Sequence, residues 1–154
     1  MSQKVGNPMP ADTVTRFRQA FAAGDPETMI ALLAPDFELH SPVEAHTYRG
    51  RDAAGIIFRA LMETLTDYRH RGQLTGASWD AGPADTHIWL FRARIESLAA
   101  HGMMMIQLDD TDRVAALTVM IRPLPALIAF DERMRAEIEA RNGGEPITPA
   151  TRGM

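Results

Sequence analysis

Five histidines, a serine beside a proline and a scatter of carboxylates are the side chains of this 154-residue chain that could move protons or attack a carbon. There is no cysteine, which removes a thiol nucleophile, a disulfide framework and a zinc ribbon together. His87 is the first candidate, because it alternates with Trp89 and Phe91 and the three would leave one face of an extended segment. Imidazole is the side chain whose unperturbed pKa, about 6.5, lets it accept and return a proton near neutrality. Set against an apolar wall, that is the chemistry of an acid/base catalyst; a hydrogen-bonded strand histidine is the other reading. Ser41 could orient a substrate or be activated as a nucleophile. Its neighbour His40 would point to the opposite face of a strand, so a Ser–His pair needs His87, and no third, orienting group can be identified.

The remaining ionisable groups read more simply. Asp109, Asp110 and Asp112 could suggest a hard metal site, but between two strands they are the composition of a solvated turn. His40, His46, His70, His87 and His101 have no spacing that marks a zinc site, so no metal is expected. Arg49, Arg51, Arg69, Arg71, Arg92 and Arg94 lack interleaved aromatics for base stacking and are read as solvated strand faces.

These groups must be positioned by an α+β sequence. Val14, Phe17 and Phe21 recur at helical spacing between Asp12, a plausible N-cap, and Gly24, a plausible stop. Asp25-Pro26 restarts a second helix that Pro35 should end. Residues 37–41 read as a short strand, 43–50 as a loop containing His46 and Tyr48, and 51–65 as a third helix. From Thr66 onward the period falls to two. Strands are expected over 68–75, 86–97, 102–109 and 114–122, with a turn region over 76–85, and a closing helix over 124–140. Helices first and strands afterwards imply helices on the concave face of a curved antiparallel sheet, enclosing a space where a ligand would sit.

Three stretches carry a family resemblance. Val14-Thr-Arg-Phe-Arg-Gln-Ala-Phe-Ala-Ala-Gly-Asp25, Met29-Ile-Ala-Leu-Leu-Ala-Pro-Asp-Phe37 and His40-Ser-Pro-Val43 resemble the opening of a nuclear transport factor 2-like domain. Tyr68-Arg-His-Arg-Gly, Leu90-Phe-Arg-Ala-Arg94 and Leu117-Thr-Val-Met-Ile-Arg-Pro-Leu124 resemble its SnoaL-like branch. The resemblance implies a cone-shaped sheet with helices on its concave face, a domain over 12–140, and flexible tails at 1–11 and 141–154. That superfamily hosts isomerases, cyclases, epoxide hydrolases, dehydratases and binding modules, so fold alone does not select a reaction. Its steroid isomerases use a carboxylate base before the proline, with a tyrosine and a protonated aspartate donating to an enolate oxygen. Here those positions fall on Ser41, Phe17 and Met104. Serine is no general base and neither other side chain can donate, so the usual steroid mechanism is not expected. Arg94 and Glu96 resemble the arginine and acid of the superfamily's epoxide hydrolases, but alternation turns them away from the pocket.

The resemblance and the alternation together predict an apolar pocket walled by Phe17, Phe21, Trp89, Phe91, Met104, Leu117, Val119 and Ile121. Its polar groups would be Ser41 and His87, with His40 and Tyr48 at the rim. Such a pocket suits a small hydrophobic molecule, aromatic, polycyclic, polyketide- or terpene-like, with no cofactor, either bound only or passed through isomerisation, cyclisation or dehydration. Ile88, Leu90, Met103 and Met105 would face outward and suggest a homodimer. A net charge of −4, from 16 Lys and Arg against 20 Asp and Glu, disfavours a nucleic-acid or anionic-membrane partner. No run reaches the roughly 20 apolar residues of a membrane span, and the polar first twelve residues lack a signal-peptide core, so a cytoplasmic setting is expected.

Overall fold

A computed structural model describes residues 12–79 and 82–147. Helix α1, Thr13–Ala22, starts where Asp12 caps it by accepting a hydrogen bond from the Thr15 amide. Gly24 follows at φ +70°, a left-handed conformation that glycine adopts without a Cβ penalty. Asp25 caps α2, Pro26–Ala31, through Thr28, with proline in the first turn where its missing N–H costs nothing.

Strand β1, Leu33–His40, begins earlier than the sequence suggested, and Pro35 lies inside it rather than ending a helix. The register between β1 and its neighbour shifts between Leu33 and Glu38, and Pro35 sits exposed within that irregularity, where no ladder hydrogen bond is required of it. The expected loop over 43–50 contains a second short strand, β2, Thr47–Arg49, paired antiparallel with β1. Helix α3, Arg51–Thr64, buries Ile57, Phe58 and Leu61 along one side.

Strands β3, Thr66–Trp79, β4, Gly82–Ile95, β5, Leu98–Leu108, and β6, Val114–Arg122, complete the sheet, and α4, Leu124–Arg141, closes the fold. β3 and β4 run on into the region expected as a turn, because their pairing continues to Trp79 opposite Gly82. The strand order is β2-β1-β6-β5-β4-β3. All neighbours are antiparallel except β1 and β6, which lie parallel. All four helices contribute buried apolar side chains to one core against the sheet.

Residues expected in the C-terminal tail are partly placed. Asn142 donates to the carbonyls of Glu145 and Pro146, and Ile147 packs against the core. The expected N-terminal tail, and the last seven residues of the C-terminal one, lie outside the described residues. No helix among the described residues is long and apolar enough to cross a membrane.

Candidate functional site

The alternation predicted for the concave wall holds, but among the described residues the centre of the wall is buried under packed side chains. Phe17, Trp89, Met104 and Leu117 are 0% exposed, and Phe91 and Val119 are 2% exposed. The Phe17 ring meets Phe58 edge-on at 5.8 Å and approaches Trp89 at 6.1 Å, while Phe37 closes on Phe58 at 6.0 Å. Phe21 is spent on Tyr68, edge-on at 5.0 Å. Aromatic rings from α1 and α3 therefore fill the volume that a cavity would need, and these expected ligand contacts are core residues.

The apolar interior opens instead at the mouth of the cone, between the segment that follows β1 and helix α4. A pocket of about 40 Å³ lies there, lined by Leu39, Val43, Ile57, Leu61 and Val119 from one side and by Phe130, Met134 and Ile138 from α4. Its polar groups are Ser41, Glu44, Tyr48, Asp131 and Arg135. Tyr48 Oη donates to Glu44 Oε1 at 2.7 Å. Burial first, and the Glu44 carboxylate next, hold the Tyr48 hydroxyl well above its ordinary value, so it stays protonated and acts as a donor. Ser41 Oγ accepts from the Val43 amide at 3.1 Å, and Arg135 forks onto Asp131 at 3.1 and 2.6 Å. Glu44, Asp131 and Arg135 escaped the sequence reading. Only the four-residue return from Glu44 to Tyr48 could have hinted at the pair, and nothing local places α4 over them.

His87 lies elsewhere. Its Nε2 is 2.7 Å from Asp85 Oδ1 and its Nδ1 is 3.3 Å from Thr75 Oγ1, with the side chain 14% exposed. Asp85, two residues away on the same strand, is the carboxylate that meets the imidazole. Ser41 follows β1 whereas His87 is on β4, three strands away in the sheet, so the two form no nucleophile–base pair. His40 is a correction too: it pairs in register with Thr47 and Thr118 on the outer face, 3.5 Å from Glu38 Oε1, and not at the pocket rim.

The outer face of the sheet carries a groove of about 380 Å³ over Leu90, Met103 and Met120, edged by Arg71, Arg92, His101 and Arg122; Ile121 also borders it. Arg94 donates to the Ser97 carbonyl beside a tight turn in which Glu96 has φ 56°. Asp109 Oδ1 accepts from the amides of Thr111 and Arg113 and from the Thr111 hydroxyl. The acidic cluster is therefore a turn, as its composition suggested. Among the described residues no group of three or more His, Asp or Glu is arranged to hold a metal ion.

Known proteins agree with this architecture. A protein from Silicibacter pomeroyi with a cystatin-like fold is 24% identical over 84% of this chain and 88% of its own, with a TM-score of 0.74. A steroid delta-isomerase from Pseudomonas aeruginosa is 25% identical over 85% and 92%, with a TM-score of 0.76. An NTF2-like protein from Mesorhizobium loti is 16% identical over 75% and 98%, with a TM-score of 0.59. No curated protein sequence matches the chain. Residues 14–122, from the first core valine of α1 to the end of β6, match the SnoaL-like domain, and the chain belongs to that family within the nuclear transport factor 2-like superfamily.

Proposed function

We propose that this SnoaL-like chain binds a small, mostly hydrocarbon molecule at the mouth of the cone, seated against Val119, Phe130 and Met134 and oriented by Tyr48 and Ser41. One observation carries the reading: the mouth is an apolar seam whose polar groups lie together at one rim, where Tyr48 is held as a donor on Glu44. The seam at about 40 Å³ is far below the roughly 300 Å³ of a small-molecule site. Entry therefore requires α4 to yield, and the ligand replaces Phe130 and Met134 contacts as it binds.

The steroid delta-isomerase among the structural relatives makes steroids the first compounds to try, with polyketide- and terpene-like molecules beside them. The usual isomerase groups are missing at Ser41, Phe17 and Met104, so binding is separated here from that chemistry. In a thermal-shift panel, a true ligand at a hundred times its Kd stabilises the fold by about 2.7 kcal/mol. Phe130→Trp, which fills the seam, should remove that response. A panel without a stabilising compound, or a hit that both Phe130→Trp and Tyr48→Phe leave unchanged, would sink the proposal.

A catalytic reading rests on His87, and the 2.7 Å contact with Asp85 favours it, because a carboxylate fixes the orientation of an acid/base imidazole. Under that reading the substrate sits beside His87 rather than at the mouth, and His87→Gln stops its turnover while Phe130→Trp leaves it unchanged. Turnover that survives His87→Gln removes His87 from the chemistry.

A further inference from the structure

The outer face of the sheet gathers its arginines into a line. Arg69 on β3 is the register partner of Arg92 on β4, Arg92 of His101 on β5, and His101 of Arg122 on β6. With strands about 4.8 Å apart, the four residues form a row roughly 14 Å long across the sheet. The bulge in β3 between His70 and Gly72 adds Arg71 beside it. Like charges directly opposite one another on paired strands are unfavourable, and these stand together in a chain whose net charge is −4. Among the described residues, Arg69 is answered by Asp67 at 3.3 Å, whereas the side chains of Arg71, Arg92, His101 and Arg122 make no hydrogen bond or ion pair.

The adjacent line of the sheet is apolar. Gly72, Leu90, Met103 and Met120 are register partners on the same four strands. Gly72 leaves the flank of Leu90 open, since a Cβ there would meet nothing within 4 Å. Leu90, Met103 and Met120 floor the groove of about 380 Å³, and Arg71, Arg92, His101 and Arg122 border it. Across the row a second hollow, of about 280 Å³, is lined by Asp67, Arg69, Arg92, Arg94 and His101. Arg92 and His101 belong to both, so the two hollows meet at the middle of the row.

A bare anion would leave the apolar floor in water, and an uncharged hydrocarbon would leave the row unmet. A second copy of the chain, expected on this face, competes for Leu90 and Met120 but brings the same arginine row with it. We infer that the groove binds a free anionic amphiphile, its phosphate, sulfate or carboxylate head held by Arg92, His101 and Arg122 and its hydrocarbon body laid over Leu90, Met103 and Met120. Guanidinium groups suit such heads because each presents a planar fork of donors. The groove volume falls within the roughly 300–1,000 Å³ of small-molecule sites, which fits a free molecule rather than a bilayer surface. None of these residues lines the mouth pocket, so the inference stands apart from the ligand proposed there.

The test titrates the whole chain calorimetrically with n-octyl phosphate, n-octanol and inorganic phosphate, at matched ionic strength and below the micelle concentration. Octyl phosphate should bind, and the alcohol and the bare phosphate should each bind about tenfold more weakly or not at all. Arg92→Gln with Arg122→Gln should weaken octyl phosphate by about tenfold or more. Both arginines are exposed, and the melting temperature of this variant should hold or rise, because opposed charges are removed. Met120→Gln should weaken octyl phosphate as well, while Phe130→Trp at the mouth should leave it unchanged. A parent chain that does not bind octyl phosphate, equal affinity in the arginine variant, loss of binding in Phe130→Trp, or capture by phosphatidylglycerol vesicles in place of octyl phosphate would each overturn the inference.

Discussion

Gly102 is where a single residue decides whether the sheet can close. It pairs with Phe91 on β4 and Ile121 on β6, and a Cβ there would fall on the Phe91 ring and 2.7 Å from the Met120 carbonyl oxygen. The carbonyl belongs to a paired strand and cannot move aside. Gly102→Ala should therefore destabilise the fold by about 1–3 kcal/mol, measured as a lower urea midpoint; an unchanged midpoint would mean the strands separate more easily than the packing implies. Tyr48→Phe is the second test at this scale. It removes the donor to Glu44 and should cost about 1 kcal/mol in the same assay, while its ring stays buried. Residue-level facing was legible in advance: His87, Trp89 and Phe91 share a face because strand side chains alternate. What they face was not legible. Phe58, which fills the expected cavity, sits on α3, and only packing brings it against Phe17 and Phe37.

The elements are held most visibly at their ends. The Thr15 amide holds the Asp12 carboxyl below its ordinary value of 3.8, the Thr28 hydroxyl does so for Asp25, and the Thr111 hydroxyl for Asp109. A carboxyl with a lowered folded-state value binds its proton more tightly in the unfolded chain. The stability these groups contribute is therefore full above about pH 4 and is lost as pH falls through their folded values. Melting temperature should fall on acidification below that point, and Asp12→Asn with Asp25→Asn should flatten the fall while keeping the caps. An identical acid limb in the double variant would contradict the cap assignment. Both caps were readable because an Asn/Asp/Ser/Thr cap is a local device. Strand β2 was hidden, since three residues between a proline and a helix carry no periodicity and gain their structure from β1.

For the molecule as a whole, the uncovered sheet face is where the homodimer expected from the sequence would form. Its centre is apolar: Leu90 is 39% and Met120 48% exposed, and Ile88, Met103 and Met105 are half-buried beside them. Sedimentation velocity should then report a species of twice the chain mass. Leu90→Arg with Met120→Arg should convert it to monomer without loss of helical or strand signal. A parent chain that sediments as a monomer across the concentration range would reject this partnership.

By itself the sequence determined the local features: two capped helices, the change of period at Thr66 and the Asp109 turn. Each depends on neighbours a few residues away or on residue identity alone. The tertiary structure decided the parallel pairing of β1 with β6, the filling of the cone by α1 and α3, and the closure of its mouth by α4. These depend on contacts between residues tens of positions apart, whose packing no periodicity records.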